Sequence, residues 1–236
     1  MIFKTSNLAL AAMLALTANA CAYAADLQPG TIQTTASMVY PDASELRVRP
    51  TEVQIVKAEQ MQKNMAGKVA LGVLMFALGG GTGYTSSSKD NMVGRTIDGV
   101  EDRSNLRIGD ANEFASHLQT TVYTALQGNT EWANKTFKHP ITVAGGVVNL
   151  VYEGLTGDDA TLYRLKADWV VYKRRESFTL FGAPHTTVDC SYQSPTPLSQ
   201  AAWAENNYAL VKSELDAMLP ACEQKVVASL PDLLKD

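Results

Sequence analysis

Two runs of β-branched and aromatic residues, at 141–152 and 162–173, constrain the fold of this chain more than any other feature. In the second run Tyr163, Leu165, Ala167, Trp169 and Val171 alternate with Arg164, Lys166 and Asp168. A strand turns successive side chains to opposite faces, so this period predicts one buried face and one wet face. Residues 154–160, with Gly157-Asp158-Asp159, have the composition of a hairpin loop. Residues 177–181 and 186–193 read as further strands joined across Gly182-Ala183-Pro184. The expectation is an antiparallel β-meander of about four strands.

Helices flank these strands in sequence. Asp110 with Glu113 three residues on makes a capping box, and Phe114, Leu118, Val122 and Leu126 then mark one helix face. After Pro195-Thr196-Pro197, Ser199 is placed to cap a second helix whose stripe is Ala204, Tyr208, Val211, Leu215 and Met218. Pro220 is predicted to kink or break it, leaving a second short segment at 221–230. Together these define an α+β domain over 91–236, with 92–100 as an additional strand. No internal repeat indicates a solenoid or propeller.

The first 24 residues read as a signal peptide. Lys4 precedes an apolar run at 8–16 that is too brief to span a bilayer, and Ala22-Tyr23-Ala24 supplies small residues before a cut ahead of Ala25. Lipidation of Cys21 is the alternative processing route. The preceding Ala18-Asn19-Ala20 fits a lipoprotein signal at its last position and departs at its first. Either route predicts an exported bacterial envelope protein at the periplasm or outer-membrane periphery, with secretion as a variant.

Residues 25–50 are rich in Pro, Gly, Ser and Thr and read as an extended arm. Residues 51–90 read as a helical segment, opened by Pro50-Thr51-Glu52 and carrying Val53, Val56, Gln60, Lys63 and Asn64. Its far part is apolar, with Val69, Leu71, Val73, Leu74, Phe76 and Leu78 followed by Gly79, Gly80, Gly81 and Gly83. A ten-residue helix covers about 15 Å, half of the ~30 Å hydrocarbon core. Three readings compete for residues 66–84: a buried core helix, a membrane-inserted or partner-facing hairpin, and a spanning segment. The glycines do not form a phosphate cradle, because Lys89 follows three serines and is not placed beside the turn.

The formal net charge of −4 gives no basic patch and no reason to expect nucleic acid. Cys190 and Cys222 are expected to pair in an oxidising compartment as a structural staple; redox pairs usually sit close together, as in Cys-x-x-Cys. His117, His139 and His185 form no metal-binding spacing, and neither metal nor cofactor is expected. His185 with Asp189, Asp168 and a serine can be drawn as a triad, but no nucleophile elbow supports it. Glu101-Asp102 and Asp158-Asp159 fall in turns, where carboxylates stay solvated. Lys173-Arg174-Arg175 reads as a solvated sheet edge or a contact for anionic headgroups.

No catalytic motif emerges. The leading expectation is a non-enzymatic interaction or assembly component, whose partner is an envelope protein or a membrane surface. The alternative is a periplasmic carrier of an apolar small molecule, held in a cavity lined by residues such as Trp169 and Tyr208. A secreted hydrolase using His185 ranks below both.

Overall fold

The computed structural model describes residues 28–58, 94–154, 161–177 and 184–235. In chain order its elements are β1 (Thr34–Ser37), β2 (Gln54–Val56), β3 (Arg95–Thr96), helix α1 (Ala111–Gln127), β4 (Ile141–Tyr152), β5 (Leu162–Arg174), β6 (His185–Asp189), β7 (Tyr192–Gln193), β8 (Leu198–Ser199), α2 (Gln200–Ala228) and α3 (Leu230–Leu233). The fold is α+β, and the two long runs foreseen as strands are β4 and β5.

β4 and β5 pair antiparallel from Ile141↔Lys173 to Tyr152↔Tyr163. Short strands lie end to end along both outer edges of this pair. β6, β7 and β8 follow β5 antiparallel, while β1 and β2 run parallel to β4. The eight strands therefore form a mixed sheet, and only the part from β4 onward has the antiparallel succession of a meander. The expected single strand over 186–193 is two strands, β6 and β7. The expected strand at 177–181 lies outside the described residues from 178 on, as does the loop at 155–160.

Three further expectations are corrected. Residues 53–56 do not open a helix; Gln54, Ile55 and Val56 pair with Asn149, Leu150 and Val151 as β2. A three-residue strand carries too little periodicity to be seen alone, and its conformation is set by β4. Of the strand expected at 92–100, the described residues from 94 on form only Arg95–Thr96. In α2 the helix continues through Pro220, and its break falls at Glu205 (ψ 140°) and at Asn206, Asn207 and Tyr208, whose φ values are 49°, 57° and 61°. Asn accepts the left-handed region more readily than most residues, so Asn206-Asn207 is the local signal for that break.

Both faces of the sheet are covered. One carries the main core, where Ile141, Val143, Val148, Leu150, Leu165, Trp169 and Val171 meet Phe114, Leu118 and Val122 of α1 and Val211 and Val226 of α2. Trp169 meets Phe114 edge to face, with ring centroids 5.6 Å apart. Asp110 caps α1 by accepting from the Asn112 N–H, and Ser199 caps α2 by accepting from the Ala202 N–H, as their sequence positions foretold. Gln119 of α1 closes the outer edge of β1: its side-chain oxygen accepts from the Thr34 N–H and its side-chain nitrogen donates to the Ile32 carbonyl, each at 2.6 Å.

The other face holds a smaller core of Tyr40, Leu46, Ala144, Val147 and Val170. Its cover is the stretch 38–49, the strap, which is part of the expected extended arm. The Arg49 guanidinium donates to the Gly145 carbonyl at 2.8 Å and to the Ser37 carbonyl at 2.7 Å. Gly145 sits where the register of β4 on β5 slips, at φ +96°, and an added Cβ would lie 2.2 Å from the Asp168 carbonyl oxygen. Only glycine fits there.

Candidate functional site

The residues singled out from sequence fall into three sets. The signal segment, Cys21, Asp158-Asp159 and the apolar positions Val69, Leu71, Val73, Leu74, Phe76 and Leu78 lie outside the described residues. Cys190 and Cys222 are joined by a disulfide, both buried, which clamps α2 to the strand edge at the end of β6. The remaining polar candidates are dispersed over the sheet.

His185 is the first residue of β6 and Asp189 the last, four positions along one strand, which places them about 13 Å apart. Asp168 pairs across from Val147, on the face covered by the strap, and accepts from the Tyr40 hydroxyl at 2.6 Å. The three residues of the notional triad are therefore not brought together. His185 itself lies in a strand, one residue ahead of the start expected at 186. Burial, and then the nearby charge of Arg174, lower its pKa from the ordinary value of 6.5.

The basic run at the end of β5 is not a free edge. β6 pairs along it, with Lys173 opposite Thr186 and Arg174 opposite His185. Lys173 is fully buried at 0% exposure, donates to Glu176 at 2.6 Å and stands 5.8 Å from the Phe137 ring centroid. Strand alternation sends Lys173 to the core face and leaves Arg174 and Arg175 exposed. Periodicity alone could have found this, because Lys173 continues the buried series 165, 167, 169 and 171.

Glu101 and Asp102 are exposed as expected, and the Asp102 carboxyl is held below its usual range, mainly by the Ser104 N–H. They stand at one side of a cleft of about 700 Å³ between the 98–102 loop and the first turns of α2, with Gln200, Asn207 and Tyr208 on the opposite wall. The Asn207 carbonyl accepts from the Asn105 side chain at 2.8 Å, which holds the left-handed break of α2 against the neighbouring 3-10 turn. Tyr208 lines this cleft; Trp169 is not among its lining residues and is packed in the core.

What sequence reasoning missed is the place where residues 57–93 join the domain. β2, which precedes them, and β3, which follows, pair antiparallel, Ile55 opposite Arg95 and Gln54 opposite Thr96. Both ends of the excursion therefore leave the sheet at adjacent points. Gly94 marks the return, because a Cβ there would lie 2.8 Å from the Ile55 carbonyl oxygen and 3.0 Å from Asn149 Oδ1. Next to it, the buried Gln54 Oε1 has no hydrogen-bond partner among the described residues.

Chain direction fixes the distance between this point and the N-terminal arm. β1 begins opposite Ile141 and β2 ends opposite Val151, both parallel to β4. Ten residues of strand separate the two exits, about 30 Å. The start of β1 and the end of β2 thus lie at opposite ends of β4. Among the described residues, no helix is long and apolar enough to cross a membrane, and no group of three or more His, Cys, Asp or Glu could hold a metal ion.

No protein-family model matches the chain, and no significant match is found among curated proteins or solved structures.

Proposed function

We propose that this chain is an exported, non-enzymatic component of the bacterial envelope that acts in interaction or assembly, with residues 66–84 as its contact element. The observation that carries this reading is the β2–β3 pairing, which gathers both ends of the apolar excursion at one point on the sheet edge. A domain built this way can present such a segment to a partner without disturbing its own core. The Cys190–Cys222 bridge is consistent with folding in an oxidising compartment.

The partner proposed is an envelope protein, with a membrane surface as the variant. Replacing residues 60–92 by Asn-Gly tests the reading, since with residues 58 and 59 the dipeptide makes a four-residue loop that keeps Ile55 opposite Arg95. The shortened chain is expected to keep its near-UV circular dichroism and its disulfide while losing co-purification with envelope partners. Global unfolding of the shortened chain would instead assign the segment to the core and remove the reading's support.

A further inference from the structure

One end of the sheet, where β4 starts and β5 finishes, is basic, although the chain as a whole has a formal net charge of −4. Arg174 ends β5, Arg175 follows it, and Lys138 stands shortly ahead of β4; each of them is exposed. The backbone gathers them. Ile141 pairs with Lys173, and the Lys138 N–H donates to the Glu176 carboxylate oxygens at 3.2 and 3.1 Å.

The nearby carboxylates already have partners. Glu176 pairs with the buried Lys173 at 2.6 Å, and Glu131 with Lys135 at 3.3 Å. Asp42, on the strap, accepts from the Ser44 N–H and hydroxyl of its own turn. Lys138, Arg174 and Arg175 form no ion pair among the described residues. Charges are screened beyond about 8 Å at physiological ionic strength. A surface laid against this end therefore meets these cations and not the negative total.

We propose that this end of the sheet docks on an anionic phospholipid bilayer, with Lys138, Arg174 and Arg175 as the headgroup contacts. Charge complementarity gives the sign, since anionic leaflets attract Lys and Arg held close to them. Two further observations select a bilayer. The chain enters the domain here: β1 begins opposite Ile141, and the Gly30 N–H donates to the Lys135 carbonyl at 2.8 Å. Residues 1–27, with the apolar run 8–16 and Cys21, are therefore continuous with the basic end. Beside the cations stands Val39, 40% exposed, whose carbonyl accepts from the Tyr172 hydroxyl at 2.9 Å. An apolar side chain next to basic ones suits the headgroup boundary, where buried apolar area and attraction to anionic lipid add. The inference rests on the exported reading for the bilayer it meets, and it makes no use of residues 66–84.

Vesicle flotation tests the surface, using the exported form of the Cys21→Ser chain so that no lipid on Cys21 contributes. Partition onto phosphatidylglycerol-containing vesicles is compared with partition onto pure phosphatidylcholine at ~0.1 M salt. Each cation near an anionic surface contributes roughly fivefold, so the preference expected is about a hundredfold. Lys138→Gln/Arg174→Gln/Arg175→Gln should abolish it. Arg95→Gln/Arg107→Gln should keep it, because these exposed cations stand against Ile55 and Glu52, far along the sheet from Ile141. Co-purification with envelope partners should survive the triple variant, so this proposal and the contact role of residues 66–84 fail separately. A preference kept by the triple variant, or lost equally in the Arg95/Arg107 variant, overturns the proposal. So does the absence of any preference, which would leave an acidic protein as the occupant. Should the triple variant lose its near-UV circular dichroism, the wild-type chain decides: loss of the preference at ~1 M salt supports the surface and its persistence overturns it.

Discussion

The Tyr40 hydroxyl donates to the Asp168 carboxylate at 2.6 Å across the second face of the sheet, with Asp168 only 4% exposed. This one contact joins the N-terminal strap to the central strand β5 over a separation of 128 residues. Removing it by Tyr40→Phe leaves a buried carboxylate short of one donor. The expected loss is about 1–3 kcal/mol in urea unfolding, with exchange protection lost first at residues 38–46.

Gly145 and Gly99 separate conformational strain from steric exclusion. Both have positive φ, but a Cβ at Gly99 meets nothing within 4 Å, whereas at Gly145 it collides with the Asp168 backbone. Gly99→Ala is expected to cost about 1 kcal/mol. Gly145→Ala should cost several times more, because the β4–β5 pairing itself must shift. Equal unfolding midpoints for the two variants would contradict the register described for the bulge.

Lys173 and Glu176 form an ion pair at the end of the main core. Burial alone would raise the Glu176 carboxyl, but the hydrogen bond and charge of Lys173, together with the Lys138 and His139 N–H groups, hold it below its usual value. Its stabilisation is therefore present above pH ~4.5 and lost as pH falls through the lower native value. Glu176→Gln strands a fully buried ammonium and is expected to cost about 3–5 kcal/mol. The double variant Lys173→Met/Glu176→Gln should recover most of that, measured by thermal unfolding at pH 7.

The Cys190–Cys222 bridge closes a sequence separation of 32 residues. In the chain-entropy model such a loop is worth about 3–4 kcal/mol. Replacing both cysteines by Ser should lower stability by that amount. Both cysteines are buried, so reduction of the native protein should be far slower than that of the urea-unfolded chain at the same reductant concentration. Equal reduction rates in the two states would contradict their burial.

Local signals in the sequence carried the long elements. The alternation of 162–173, the apolar stripe of Phe114, Leu118, Val122 and Leu126, and the caps Asp110 and Ser199 each lie within a few residues of what they determine. Features decided by distant partners were not legible. β2 is a strand because β4 lies beside it, and the strap is ordered because Tyr40, Arg49 and Tyr172 find Asp168, Gly145 and Val39. The basic run misled because a lysine was read by its charge instead of by its place in the alternation. The adjacency of residues 56 and 94, on which the candidate site rests, is a tertiary fact with no local trace apart from Gly94.

Site-specific photo-crosslinking in the native host tests the proposed contact element most directly. A photoreactive residue at Phe76 is compared with one at Tyr123, which is 46% exposed on α1. The account predicts a discrete protein adduct from position 76, absent from position 123. No adduct at 76, or the same adducts from both positions, would contradict it.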